Sequence, residues 1–546
     1  MADLRSPDDV MRLKRLGSSF PNRLSFLRVL LRRLGQEGAT VTRPVWEIDA
    51  QGYGRAVYSV DLGGFTYSLV AFATPLDDAN RTDRVIATAW DTTYVLFDGA
   101  PTTADLDRLE QNAPKQEAGR FEPTEIVLCR ANKSVRLFAH VVDALQAGTQ
   151  PDPDLITQTG YLMRTTAVYG NGKFGIADRG RIANRPGLGG PFMAEMLAVW
   201  LVRGFTHDLA EHMGGAKMSR DLKHRLGIGN STGLGMAPFL VSHPMLLHQW
   251  IATRETALAR VLDIMQLPQE TADTYVDLSE RALKHLRQWH VPDPAHQTRN
   301  ETVATEWADL IKDWDQDVWR LPFSPNQFHE ASQSYSEDVQ ELAVALLLEP
   351  MGGLIDDLAD DLASDQALTF DPNMRVQDLK GLIETHGAWA LNTDFDAPAE
   401  TAQFWYVSEE KLEPRLGNRR EEDGADLESP LDIARRLKSL YVDCSDDCTA
   451  GGTVAGLLMR HPEHRFATRR IQTLAAYPYS ELRDNLISDR CFPIDMLRAK
   501  LAYFGASKFD PKSDRWTRIN MCQGAPLFDE LDDADDWWLP VFEGDT

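Results

Sequence analysis

The sequence predicts an α+β protein, with an N-terminal antiparallel sheet domain followed by a larger, mainly α-helical body. Three observations predict it. Between Val41 and Phe138 apolar residues fall in short β-rich runs separated by turn residues. Beyond Phe192 they recur mainly at helical spacing. At 546 residues the chain also exceeds what one core usually supports. Breaks rich in proline and glycine divide it into 1–36, 37–150, 151–290 and 291–546.

The segment 1–36 carries eight Arg or Lys against three Asp, opposing a net charge of −25. Leu24, Leu27, Leu31 and Leu34, with Arg28, Arg32 and Arg33 between them, form an amphipathic helical stripe. Such a helix is expected to pack on the protein's own acidic body or on a second subunit. In 37–150 the runs 56–60, 65–72, 85–90 and 93–97 read as strands, and Gly63-Gly64 joins the first two as a tight hairpin. Residues 133–147 read as a helix and 148–154 as a linker.

The segment 151–290 contains two polar glycine turns, 169–175 and 227–235, joined by a long helical pattern at 192–212. Between Gly170 and Gly235 lie 14 of the 37 glycines, an entropically costly composition that calls for close backbone approach to a ligand or between elements. A helix follows Pro244 to about Met265. In 291–546 helical spacing covers 337–363, 431–441, 453–459 and 494–504, with a strand at 404–407 and an exposed charged loop at 414–430. The tail 528–546 mixes six Asp and two Glu with Trp537 and Trp538, which predicts docking on a basic surface of this chain or of a neighbour.

Composition narrows the function classes. The field of 57 basic against 82 acidic residues repels nucleic acid and anionic membrane surfaces. No window approaches 18 uncharged apolar residues, and the start of the chain has no signal-peptide pattern, so a cytoplasmic protein is expected. The five cysteines are odd in number, and the three-residue interval between Cys444 and Cys448, set among aspartates, predicts unreactive thiols.

The glycine turns carry the candidate site. Glycine lets backbone N–H groups approach an anion, and Arg164, Lys173, Arg179, Arg181 and Arg185 offer local positive charge. Arg164 suits a bidentate carboxylate or phosphate clamp, and Lys173 a point charge, base or Schiff-base amine. Tyr169 is a candidate proton donor and His243 a candidate general base near neutral pH. Asn171, Asn230, Ser231, Thr232 and the backbone of Gly233 are the candidate substrate contacts. The alternative is that both turns cap helices.

Residues 229–235 fit G-x-x-x-G-x-G and 169–173 fit Y-x-x-x-K, spacings similar to those of short-chain dehydrogenases, which would imply NAD(P). The motif order is reversed, residues 222–226 are too charged for the preceding strand, and two glycines interrupt the helix the Tyr–Lys pair requires. His207 and Glu211 lie one helical turn apart, but they and the 461–464 pair of histidines read as solvated helix faces. Asp356-Asp357-Leu358-Ala359-Asp360 has the D-D-x-x-D spacing that holds magnesium in isoprenoid enzymes, or is simply an acid-rich helix start. The expectation is an enzyme acting on a small anionic metabolite by acid–base or covalent amine chemistry. It would hold no tightly bound metal and would form a homo-oligomer. The alternatives are an NAD(P)-dependent oxidoreductase and a non-catalytic oligomeric scaffold.

Overall fold

A computed structural model describes residues 4–10, 23–77, 89–113, 122–170, 179–182, 184–230, 244–289, 294–312, 323–360, 362, 369–397, 430–446, 452–480, 504–513, 516–533 and 541. Most of the strand expected at 85–90, the strand at 404–407, nearly all of the 414–430 loop, the 494–503 helix and Trp537-Trp538 lie outside them.

The basic segment forms helix α1 (Phe26–Gln36). The chain then builds an antiparallel meander of β1 (Thr40–Ile48), β2 (Gly54–Leu62), β3 (Phe65–Ala73), β4 (Thr92–Asp98) and β5 (Glu125–Lys133). Gly63 and Gly64 turn β2 into β3 at φ 56° and 81°. That conformation at both central positions is what the expected two-residue hairpin demands. Between β4 and β5, α2 (Thr103–Asn112) starts with a capping box. The Thr102 hydroxyl accepts from the Asp105 N–H while the Asp105 carboxylate accepts from the Thr102 N–H, each satisfying an otherwise orphaned donor.

Helix α3 (Phe138–Gln146) begins later than expected because Lys133 is the last residue of β5. The supposed linker at 148–154 is a short turn. Gly148 sits at φ 75°, and the Asp152 carboxylate caps α4 (Pro153–Thr159), with Pro153 in the first turn, where no N–H is needed. The chain then rejoins the same sheet as β6 (Tyr161–Gly170), antiparallel to β5. Helix α5 (Met193–Gly214) and α6 (Arg220–Arg225) follow, and β7 (Gly227–Asn230) pairs with β6 in parallel.

The helical body comprises α7 (Pro244–Leu262), α8 (Gln269–Gln288), α9 (Pro294–Lys312), α10 (Pro325–Ser332), α11 (Glu337–Leu348), α12 (Val376–His386), α13 (Pro430–Asp446), α14 (Val454–Arg460) and α15 (Arg465–Ala476). The last strands, β8 (Ala506–Ser513) and β9 (Trp516–Met521), return to the sheet, whose order is β1-β2-β3-β4-β5-β6-β7-β9-β8. The fold is α+β, and its one sheet draws on residues from Thr40 to Met521.

Strand alternation gives the sheet two apolar faces. Tyr58, Leu69, Tyr94 and Cys129 face the core that α5 covers, whereas Val57, Val70, Val95 and Leu128 pack with Leu106 and Leu109 of α2. Helix α5 is buried almost all round, as expected of a helix sandwiched between a sheet and other helices. Its Gly204 lets the Phe528 ring lie where a Cβ would be, 2.0 Å from the ring's Cζ. Phe528 also meets Trp200 at 4.9 Å and Tyr58 at 5.8 Å, and Asp529 and Glu530 pair with Arg220. The first residues of the acidic tail thus dock on their own chain.

The basic helix also packs on its own acidic body. Buried Arg28 grips Glu349 with both guanidinium arms, Arg23 pairs with Asp356 at 2.6 Å, and Arg33 reaches Asp360. Asp357 takes Arg260 at 2.8 Å. The D-D-x-x-D spacing is therefore occupied by arginines, with each of these three carboxylates neutralised by a guanidinium. With α1 buried in this way, its face is consumed within the chain. No helix among the described residues is long and apolar enough to cross a membrane.

Candidate functional site

The two glycine turns are rooted on neighbouring strands. In the parallel pair, Tyr161 faces Gly227, Met163 faces Ile228, Arg164 faces Gly229 and Thr165 faces Asn230. The Thr165 hydroxyl donates to the Gly229 carbonyl at 3.2 Å and accepts from the Asn230 side-chain amide at 3.4 Å. Both strands run in the same direction, so the segments beginning at Asn171 and Ser231 leave from the same edge of the sheet. Strand β6 continues five residues past the Thr165 level, roughly 16 Å, while β7 stops at Asn230. Past that point β6 remains paired with β5 alone among the described strands. Thr166 is an extra residue in β6, between Thr165 opposite Ala131 and Ala167 opposite Arg130. Such a bulge bends the strand.

The opening of the second turn differs from the expected glycine loop. Gly227 to Asn230 form a strand, and the two glycines serve packing. A Cβ on Gly227 would lie 2.2 Å from the Met521 carbonyl oxygen, and one on Gly229 would lie 2.8 Å from the Tyr161 ring. This short strand contains Gly229 instead of preceding it, and residues 220–225 before it are helical, so the departure from the dinucleotide pattern stands.

Of the candidate residues, Arg164 is 2% exposed and already holds an interaction within the protein, so it backs the site as an interior cation. Asn230 is half-buried at the tip of β7. Tyr169 is a strand residue opposite Leu128 and not part of a turn, and its side chain is outside the described residues. Asn171, Lys173, Ser231, Thr232, Gly233 and His243 also lie outside them. Arg185 is bound to Asp98 at 2.7 Å, at the end of β4.

Sequence reasoning missed a polar group behind Arg164. Arg130 and Asn132 alternate with Cys129 and Ala131 of the α5-side core, so they stand on the opposite face, where Asn132 pairs in register with Arg164. The Asn132 side-chain Oδ1 accepts from the Asp91 N–H at 2.9 Å, the buried Asp91 carboxylate accepts from the Lys133 N–H at 3.1 Å, and the Arg130 guanidinium lies 4.6 Å over Trp90. The available signal was an arginine and an asparagine alternating with apolar residues before the closing lysine of the strand.

Elsewhere, a cavity of about 730 Å³ lies between Arg23, Arg281, Glu349 and Gly352 and is lined by none of the described candidate residues. A smaller one of about 130 Å³ is lined by His207, Arg203 and Lys223. His207 and Glu211 are buried, not solvated: Glu211 takes Lys217 and Lys223, and the His207 Nε2 makes no hydrogen bond among the described residues. Arg203 donates to the Leu226, Ala525 and Lys223 carbonyls and ties α5 to the start of β7, while burial lowers its pKa to about 10. Burial raises the Cys129 thiol and pushes Cys522 up to about 12, as expected of unreactive cysteines.

Burial, reinforced by Arg203, Lys223 and His224, holds His207 well below the usual imidazole range. Burial also lowers His248, and burial with Arg5 lowers His329 to about 4. In each case the unfolded chain takes up the proton first. Their contribution to stability is present above the unfolded pKa of about 6.5 and is lost as pH falls through the window below it. The unfolding free energy measured with denaturant is therefore expected to fall between about pH 7 and about pH 5, less steeply in His329→Gln. A flat profile across that range would contradict it.

Comparison of the chain with family models, with curated proteins and with solved structures finds no match.

Proposed function

We propose that the chain is a cytoplasmic enzyme acting on a small anionic metabolite at the carboxyl edge of β6 and β7, by acid–base or covalent amine chemistry and with no tightly bound metal at that edge. The supporting observation is the parallel β6–β7 pair, joined by a helical crossover, whose carboxyl ends both lead into the glycine-rich segments. In sheets with parallel strands, ligands bind outside the carboxyl ends, where loops converge and backbone N–H groups are unspent. Asn230 stands at that edge, with Arg164 and Arg130 supplying positive charge from behind. In this reading Lys173 supplies charge or an amine, Tyr169 or His243 moves the proton, and Asn171, Ser231, Thr232 and Gly233 contact the substrate. The enzyme works as a homo-oligomer, through surfaces other than the consumed face of α1.

Thermal unfolding in the presence of small carboxylates, sugar phosphates and inorganic phosphate tests the reading. A ligand at a hundredfold excess over its Kd is expected to add about 2.7 kcal/mol of stability. Lys173→Ala should abolish that gain without lowering the unliganded midpoint, and Lys173→Arg should keep part of it if the lysine acts as a point charge. An equal gain in Lys173→Ala would remove Lys173 from the site. An NAD(P)-dependent oxidoreductase is the second reading, and stabilisation by NAD(P) alone would select it. Stabilisation by none of these, together with a stable oligomer in light scattering, would favour a scaffold.

A further inference from the structure

We propose that Asp443, His461, Glu463 and His464 form a binding site for one zinc ion, linking α13 to the turn between α14 and α15 and separate from the β6–β7 edge. The argument begins with the local backbone. Helix α14 ends at Arg460 with His461 as its C-cap, and Pro462–His464 form a 3-10 turn in which the His464 N–H donates to the His461 carbonyl at 3.2 Å. The i to i+3 bond brings the backbone of His461 against that of His464, and both imidazoles emerge together. Their ring centroids are 5.7 Å apart. Helix α13 brings Asp443 against them, anchored by the neighbouring, fully buried Cys444.

The donor atoms converge. The His464 Nε2 lies 2.5 Å from the Asp443 Oδ2, the His461 Nδ1 lies 3.8 Å from the same oxygen and 3.4 Å from the Glu463 Oε1, and all four ligand atoms are within 4.8 Å of one another. A tetrahedral zinc ion with bonds of about 2.0–2.2 Å holds its ligand atoms roughly 3.3–3.6 Å apart. The observed separations straddle that range, so side-chain rotations close the shell without backbone movement. Two imidazoles and two carboxylates are a borderline-soft, dianionic set that neutralises a divalent ion and prefers zinc to magnesium. The His464 side chain is 4% exposed and gives the site a preorganised ligand, whereas Glu463, at 62%, is the ligand most readily replaced by water. This departs from the sequence-level expectation of a protein without a tightly bound metal.

The test is calorimetric titration of zinc chloride into chelator-treated full-length protein. One equivalent is expected to bind with a Kd of about 1 µM or tighter, unaffected by millimolar magnesium. His461→Ala changes a half-exposed side chain and is expected to weaken binding at least about a hundredfold, with Glu463→Gln weakening it about tenfold. Cobalt(II) should give the visible absorption of a tetrahedral site in the wild type and lose it in His461→Ala. Absence of a saturable zinc site tighter than about 100 µM overturns the proposal. So does equal zinc affinity in the wild type, His461→Ala and Asp443→Asn, because the bound ion would then sit elsewhere.

Discussion

Arg28→Ala is expected to lower the unfolding free energy by about 3–5 kcal/mol, read as a shift of the urea or guanidinium transition. The Arg28 side chain is fully buried, and its two terminal nitrogens both donate to the Glu349 carboxylate, which is itself 5% exposed. Glu349 is also the C-terminal cap residue of α11, where the helix dipole disfavours a negative charge. Removing the guanidinium leaves that carboxylate buried and unpaired by its partner, which is the expensive half of breaking an internal ion pair. The double replacement Arg28→Met with Glu349→Leu is therefore expected to recover most of the loss, since no charge is then stranded. A cost below about 1 kcal/mol for Arg28→Ala would mean that α1 is not held to the helical body in this way.

Gly227→Val is expected to cost more than about 4 kcal/mol or to prevent folding altogether, read by circular dichroism and by soluble yield. The added Cβ would meet the Met521 carbonyl oxygen at 2.2 Å and the Asn520 Oδ1 at 2.3 Å. Neither neighbour is free to move. Met521 belongs to β9, paired with Ile228, and the Asn520 side chain donates to the Gly160 carbonyl at 2.7 Å, which also accepts from the Gly227 N–H at 2.8 Å. Valine would have to push β9 off β7 and open the sheet at the candidate site. The contrast is Gly215→Ala, at φ 70° with nothing within 4 Å, where only the left-handed backbone penalty of about 1–2 kcal/mol applies. Similar stability losses in the two variants would contradict the packing role of Gly227.

Legibility in the sequence followed the range of the interactions. The hairpin at Gly63-Gly64 was readable because the two glycines and the flanking runs are adjacent in the chain. The helix expected at 192–212 appears as Met193–Gly214, since a long apolar run ending at the Gly214-Gly215 pair carries its own stop signal. Strand β6 was not read, because Tyr161 to Gly170 mixes polar and apolar residues without strict alternation and has a bulge at Thr166. Strand β7 carries no strand signal of its own for a related reason. Four residues with two glycines have no strand propensity of their own and are ordered by β6 on one side and β9 on the other.

The sequence by itself determined the class of fold, the N-terminal meander, the long central helix and the basic helix seeking an acidic partner. Each of these depends on periodicity or charge within a few turns of chain. Tertiary structure alone decided which acids that helix would find, and it turned Asp356, Asp357 and Asp360 from an apparent metal motif into partners of Arg23, Arg260 and Arg33. It also decided that His207 and Glu211 would be buried, and that Asp443 would join His461 and His464. An ion pair or a ligand shell is defined by side-chain ends meeting across residues far apart in the chain. The burial that makes such a meeting strong is supplied by the packed elements around it and by no local run of residues.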